Sequence, residues 1–159
     1  MKVVLARVGR GRTPWADAAV EDFARRLPRA MPFEEILVEP ETFRGDIDAV
    51  RAAEGARLLG LGREGDRLVA LDERGVSPTS EEFSGWIDGS ARAGTRRLLF
   101  AIGGPYGHDP AVRAKAWRVL ALSGLVLNHE LARVVLVEQL YRAGTILRGE
   151  PYHRGERDA

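Results

Sequence analysis

The chain contains no cysteine. That one absence excludes disulfides, thiolate metal centres and cysteine nucleophiles. Lysine is nearly absent as well: it occurs only at Lys2 and Lys115, so almost every base is arginine. Arginine's planar fork binds phosphate bidentately and stacks on bases, although genome composition produces the same bias. No apolar run is long enough to span a bilayer. The start, Lys2 followed by the short run Val3-Val4-Leu5, has neither the h-region nor the cleavage site of a signal peptide. These features predict a cytoplasmic protein with no membrane partner. A large excess of one charge is also missing. Net charge is +1, so bulk electrostatics do not single out a nucleic-acid partner. The distribution is less even than the total. Lys2, Arg7, Arg10, Arg12, Arg25, Arg26 and Arg29 crowd the first thirty residues, and an acidic stretch from Glu34 to Glu54 follows. Such asymmetry fits a side that faces a polyanion.

What is present is the material of one globular domain, with 159 residues of which 45% are hydrophobic. Short β-like runs alternate with helical patterns. Lys2–Val8, Phe33–Glu39, Arg67–Leu71 and Arg97–Ile102 read as strands, with Leu122–Leu127 as a fifth. Asp72-Glu73-Arg74-Gly75 reads as a turn. Thr13-Pro14 and Asp109-Pro110 each supply a cap followed by proline at the first helical position. The i+4 series Trp15, Ala19, Phe23 and Leu27 predicts one apolar helix stripe. Further helices are expected over 46–59 and 130–148, and Thr79 with Glu82 forms a capping-box pattern. This alternation predicts an α/β fold on a mostly parallel sheet.

In such a sheet ligands bind outside the carboxyl ends of the strands. That rule points to Gly9–Arg12, Leu71–Gly75, Gly103–Gly107 and the turn around 127–129. Gly9-Arg10-Gly11 fails as a dinucleotide fingerprint, because the third glycine falls at Pro14 and no acidic residue stands about twenty residues on at a strand end. Gly103–Gly107 lacks the Gly-Lys-Ser/Thr of a P-loop, and its glycines allow a ligand to approach the backbone. The three histidines, His108, His129 and His153, have no metal-binding spacing, and no nucleophile elbow exists. His153 is the candidate for chemistry. Tyr152, His153 and Arg154 together place a donor, a titratable group and a fixed cation in one short tail.

The segments Leu71-Asp72-Glu73-Arg74-Gly75, Phe100 through Gly107, Leu122 through His129 and Glu138-Gln139-Leu140-Tyr141-Arg142-Ala143, with the ending Pro151-Tyr152-His153-Arg154, resemble the RlmH (YbeA-like) family. The likeness spans the whole chain in the family's order. It implies a SPOUT methyltransferase fold: an α/β domain over 1–159 with helices on both faces of the sheet and a C-terminal trefoil knot over about 68–154. It further implies a homodimer with active sites at the subunit interface. The implied reaction is methyl transfer from S-adenosylmethionine, without a metal, to N3 of a pseudouridine in large-subunit ribosomal RNA within the assembled ribosome. Carried onto matching positions, the cofactor pocket comprises Leu71, Gly103, Gly104, Leu122, Ser123, Gly124, Leu125, Val126, Leu127 and Asn128, the last standing where some members carry proline. The RNA and catalytic set comprises Arg142, Tyr152, His153 and Arg154, with His129 a secondary candidate. Two rival readings keep the fold: a SPOUT methyltransferase acting on another RNA such as tRNA, and a non-catalytic ribosome-associated factor. Retention of both the pocket glycines and the Tyr-His-Arg ending argues against the second.

Overall fold

Every strand of the sheet runs parallel to its neighbours. The computed structural model describes residues 1–9 and 12–153. Its strands are β1 (Lys2–Val8), β2 (Phe33–Val38), β3 (Asp66–Val76), β4 (Arg97–Ile102) and β5 (Arg118–Leu120), in the spatial order β2-β1-β4-β3-β5. The helices are α1 (Pro14–Arg25), α2 (Ile47–Leu59), α3 (Ser80–Arg92), α4 (Pro110–Lys115) and α5 (His129–Leu147). Parallel strands need crossover helices, so both sheet faces are covered and the strand sequences read as continuous apolar runs.

The pleat divides the core by residue parity. Val3, Leu5, Val69, Leu98 and Phe100 face Val20 of α1, Phe83 and Ile87 of α3, and Leu136 and Leu140 of α5. Val4, Ala6, Val8, Leu99 and Ala101 face Leu58 of α2. Helix starts follow the expected chemistry. Thr79 accepts from the Glu82 amide at 3.1 Å while the Glu82 carboxylate accepts from the Thr79 amide at 2.7 Å, closing the capping box. Among the described residues no helix is long and apolar enough to cross a membrane.

Three local expectations are corrected. The α1 stripe holds in part: Phe23 and Leu27 pack against the core beside the buried Ala16 and Val20, while Trp15 is 53% exposed. The residues 72–75 are not a free turn, because β3 continues to Val76 with a bulge between Leu71 and Val76. Gly75 serves close packing there, since a Cβ would lie 2.5 Å from the Val119 carbonyl oxygen. The fifth strand lies at Arg118–Leu120, not at 122–127. Trp117 donates to the Leu68 carbonyl at 2.8 Å and Arg118 pairs with Val69, so the edge is filled before Leu122 is reached. The apolar run that follows is left as a loop beyond the sheet.

A buried charge network fastens α5 to the opposite edge. Arg133 is 4% exposed, yet its guanidinium meets Asp17 at 2.6 Å, Glu130 at 3.0 Å and Glu35 at 2.8 Å. Glu35 also accepts from Arg7 at 2.6 Å. Removing Arg133 takes away Asp17's ion pair and leaves Arg7 to face Glu35 and Glu130 alone, so Arg133→Ala is expected to cost about 3–5 kcal/mol in chemical denaturation. The Arg133 hydrogen bond holds the Asp17 carboxyl below its ordinary 3.8. A lowered carboxyl contributes stability above its unfolded value and loses it as pH falls through the folded one. Asp17's contribution should therefore fade as pH falls below about 3.8 in an acid-unfolding series, and the fading should shrink in Arg133→Ala.

Candidate active site

Beyond the carboxyl ends of β3, β4 and β5 lies a cavity of about 340 Å³. Three separate chain segments converge on it: the end of β3 at Leu71, the glycine loop after β4, and the loop after β5. Leu71, Gly103, Gly104, Leu122, Ser123, Leu125, Val126 and Leu127 all line it, and so does His129. Gly124 and Asn128 do not. Asn128 instead caps α5, accepting from the Leu131 amide at 2.9 Å. The residues Gly9–Arg12 take no part in the cavity wall among those described, and Arg10 and Gly11 lie outside the described residues. Leu125 and Val126 are 78% and 79% exposed, so the outer wall is apolar and open. Ser123 Oγ accepts from the Leu125 amide at 2.9 Å, which turns the loop.

The glycine loop is narrow for an internal reason. A Cβ on Gly104 would collide with the Glu54 carboxylate, and one on Gly103 would stand 3.1 Å from the Gly107 carbonyl carbon. These glycines thus seat the loop against α2, and the seated loop presents backbone to the cavity. Glu54 is 3% exposed; Oε1 accepts from the Glu41 amide at 3.0 Å and Oε2 has no hydrogen-bond partner. Arg51, one turn earlier on α2, donates from Nε to the Tyr106 carbonyl at 2.7 Å. His108 is buried beside them and bonds the Ala101 carbonyl through Nε2 at 3.1 Å. Burial pushes its pKa down, so the ring is neutral with Nε2–H as the donor. Asp72, on the cavity wall, is paired with Arg113 at 3.1 Å and accepts from the Arg74 amide at 3.0 Å. These partners offset its charge at the cavity wall.

A second polar cluster lies on the far half of α5. Glu138 accepts from Arg142 at 3.1 and 2.6 Å and from the Tyr152 hydroxyl at 3.0 Å. Arg142 covers the Tyr152 ring at 4.7 Å and donates to the His153 carbonyl at 3.4 Å. His153 Nε2 sits 3.0 Å from Glu81 Oε1 of α3. Burial, then the Glu138 hydrogen bond, raises the Tyr152 pKa and keeps the phenol protonated. Arg154 lies outside the described residues. The cluster gathers Arg142, Tyr152 and His153, but none of them lines the cavity. Thirteen helical residues separate His129 from Arg142, or about 20 Å of axial rise.

Several members of these sites are not singled out by sequence motifs. Glu81 and Glu138, which hold the tail, look like solvated helix charges. Arg113 and Asp72 are an ion pair only in three dimensions. Glu54 alone left a signal: with Val50 and Leu58 it falls on an i, i+4, i+8 apolar stripe, where an acid is out of place.

A parallel α/β sheet with a cavity at its carboxyl edge, lined by apolar side chains, glycine backbone and a few charged groups, suits a cofactor-binding transferase. The chain matches the family model described as Predicted SPOUT methyltransferase over residues 1–153. It belongs to that family. It is 41% identical over 153 residues to the Ribosomal RNA large subunit methyltransferase H of Geobacter sp. (strain M21), a match covering 96% of this chain and 99% of the relative. Proteins of the same name from Gemmatimonas aurantiaca and Porphyromonas gingivalis are 41% and 40% identical, covering 97% and 96% of this chain and 100% and 99% of theirs.

Proposed function

We propose that this chain methylates N3 of a pseudouridine in large-subunit ribosomal RNA, drawing the methyl group from S-adenosylmethionine and acting on assembled ribosomes in the cytoplasm as a homodimer. The near-full-length relatives support the substrate class, and the cavity supports the co-substrate. Bound S-adenosylmethionine supplies an electrophilic methyl group. Leu71, Leu122 and Leu127 would enclose its adenine, with backbone groups of Gly103 and Gly104 at the ring edge. The residues fit: leucines, valines and glycine backbone supply the apolar part of the wall, and of the two carboxylates on the lining Asp72 is paired with Arg113 and Glu73 is exposed to water. A free carboxylate against the sulfonium would favour the ground state, because that charge is lost in the transition state.

The tail supplies the proton chemistry in this reading. With Nε2–H donated to Glu81, the His153 Nδ1 lone pair faces Arg142 Nη1 at 3.5 Å and takes the N3 proton by giving up that contact. Arg142 is committed to Glu138 and the His153 carbonyl, so it acts as a positioning residue. Arg154 is the cation assigned to the charge that develops on the pyrimidine.

The observation that carries the dimer is the distance between the two clusters. If the tail of one chain works over the cavity of the other, that separation is resolved without rearrangement. Trp15, Leu125, Val126 and Leu131 are exposed by 42–79% on segments that follow strand ends, and they supply apolar area for a second copy. We include the knot of about 68–154 in the same reading. It is supported by β5 returning to the edge beside β3 before α5 packs on α1 and α3.

Mixed dimers test this. Leu122→Trp fills the cavity and His153→Ala removes the tail base, and each variant alone is expected to be inactive. Refolded together they should regain about a quarter of wild-type transfer, since half the dimers are mixed and each has one intact site. No recovery, with mixed dimers demonstrated by mass, would place cavity and tail in the same chain and contradict the shared site.

A further inference from the structure

The opposite end of the sheet carries a group of features that the methyl-transfer site does not use. At the amino ends of β3 and β5 a second cavity, of about 260 Å³, is lined by Arg63, Arg67, Lys115 and Trp117 over an apolar floor of Leu58, Leu68 and Leu99. Arg118 begins the edge strand and is exposed. The two tryptophans of this region, Trp86 and Trp117, meet edge to face at 6.2 Å. Arg67 stacks on Trp117 with its guanidinium carbon 4.5 Å from the ring centre, and Arg118 covers the same ring at 5.0 Å and Trp86 at 5.4 Å.

Charge pairing is uneven over the surface. Many arginine side chains are matched with carboxylates, as Arg26 is with Asp22, Arg57 with Glu41, Arg92 with Asp88 and Arg148 with Glu150. The patch is where cations without such a match gather around stacked indoles. Among the described residues no carboxylate lies within salt-bridge distance of the side chains of Arg63, Arg67, Lys115 or Arg118. Asp66, the acid on the cavity wall, is committed to Arg97 at 2.5 Å and to the Arg63 amide at 2.8 Å. Burial pushes its pKa up, but the Arg97 hydrogen bond and the Arg63 amide outweigh that, and it stays ionised and engaged. The net charge of the chain hides this local excess, because it averages paired and unpaired cations together.

Stacking on an indole orients a guanidinium and desolvates one of its faces, while its N–H edges stay free. Arg67 uses one nitrogen on Ser90 Oγ at 3.1 Å, which fixes the plane further. Oriented, partly desolvated forks beside an exposed lysine match phosphate oxygens spaced along a nucleic-acid backbone. The rise of six strand residues puts the patch roughly 20 Å from the methyl-transfer cavity. A contact there cannot touch the reacting base. It can hold a neighbouring helix of the same RNA.

We propose that Arg63, Arg67, Lys115 and Arg118, set around Trp117, form a docking surface for the phosphodiester backbone of an RNA helix flanking the target nucleotide. This rests on the ribosomal-RNA reading above, and it adds to that reading a place where substrate affinity arises apart from chemistry. The cations select an anionic surface, and the ribosomal-RNA reading makes that surface a phosphodiester backbone.

The test uses the full chain with Arg63→Glu, Lys115→Glu and Arg118→Glu combined, leaving the stacked Arg67 and the tryptophans in place. A control reverses Arg25, Arg29 and Arg44 instead. Binding to unmodified 70S ribosomes and to an RNA hairpin is followed by filter retention, separately from methyl transfer. The patch variant should bind at least 10-fold more weakly at 0.1 M salt, with KM for ribosomes raised, kcat within twofold and S-adenosylmethionine affinity unchanged. Its plot of log K against log salt should flatten by about 3, near one phosphate contact per removed cation. Wild-type affinity in the patch variant, or an equal loss in the control, overturns the surface. So does wild-type protein that binds neither RNA, or that binds anionic phospholipid vesicles in their place. A wild-type enzyme that binds ribosomes through the patch but transfers no methyl would refute the proposed reaction and leave the surface standing.

Discussion

Alanine at position 153 is expected to lower kcat for methyl transfer by about 10²–10⁴-fold, the usual contribution of a positioned general base. S-adenosylmethionine affinity should stay within twofold, because His153 is held by Glu81 and Arg142 away from the cavity of its own chain. The loss has a distinguishing companion. Glu81→Gln keeps a hydrogen-bond acceptor for Nε2–H and should retain most activity, whereas Glu81→Ala frees the ring and should lose about 10-fold or more. Isothermal titration and single-turnover transfer separate the two readouts. A histidine variant that failed to bind the co-substrate would mean that His153 serves the cavity and not the proton.

Gly104→Val should be the most damaging change at the cavity. A Cβ at this position runs into the Glu54 carboxylate, which is buried and tied to the Glu41 amide and cannot swing into water. Overpacking of this kind costs about 1–3 kcal/mol. The glycine loop must then lift from α2, so S-adenosylmethionine affinity should fall more than 10-fold. The explanation is specific enough to be reversed. Paired with Glu54→Ala, the milder Gly104→Ala should be less destabilising than the sum of the two single changes by at least 0.5 kcal/mol, the coupling expected of side chains in contact. Additive effects in thermal unfolding would mean that the collision is relieved by backbone movement and that Glu54 does not seat the loop.

How far the sequence could be read depended on whether the governing contacts were local. Strand alternation, proline starts and the Thr79–Glu82 box are decided within a few residues, and β1, β4, α2 and α3 stand where those signals put them. The run Leu122–Leu127 has the pattern of a strand because hydrophobicity records burial or ligand contact without saying which. The edge position beside β3 was already filled by Arg118–Leu120. The Asp72–Gly75 segment carried turn residues, yet Gly75 is there to let β3 pass Val119 closely. Trp15 shares an i+4 series with Phe23 and Leu27, which pack on the core, but it stands in the first turn of α1 and is exposed. At the cavity, family resemblance brought together residues from three segments that no spacing rule connects. What it missed was the supporting layer: Glu54 under the loop, Arg51 on the Tyr106 carbonyl, and Glu81 and Glu138 holding the tail. Those roles come from crossings of 14 to 72 residues and are invisible to any local window.

Transfer of labelled methyl from S-adenosylmethionine to unmodified ribosomes tests the central claim most directly. Assembled 70S particles, separated subunits and free ribosomal RNA would be run in parallel and the label mapped by nucleoside analysis. The account predicts label on N3 of one pseudouridine of the large-subunit RNA, in assembled particles and not in free RNA. Label on tRNA or on a ribose hydroxyl, or no label from protein that binds S-adenosylmethionine, would contradict it.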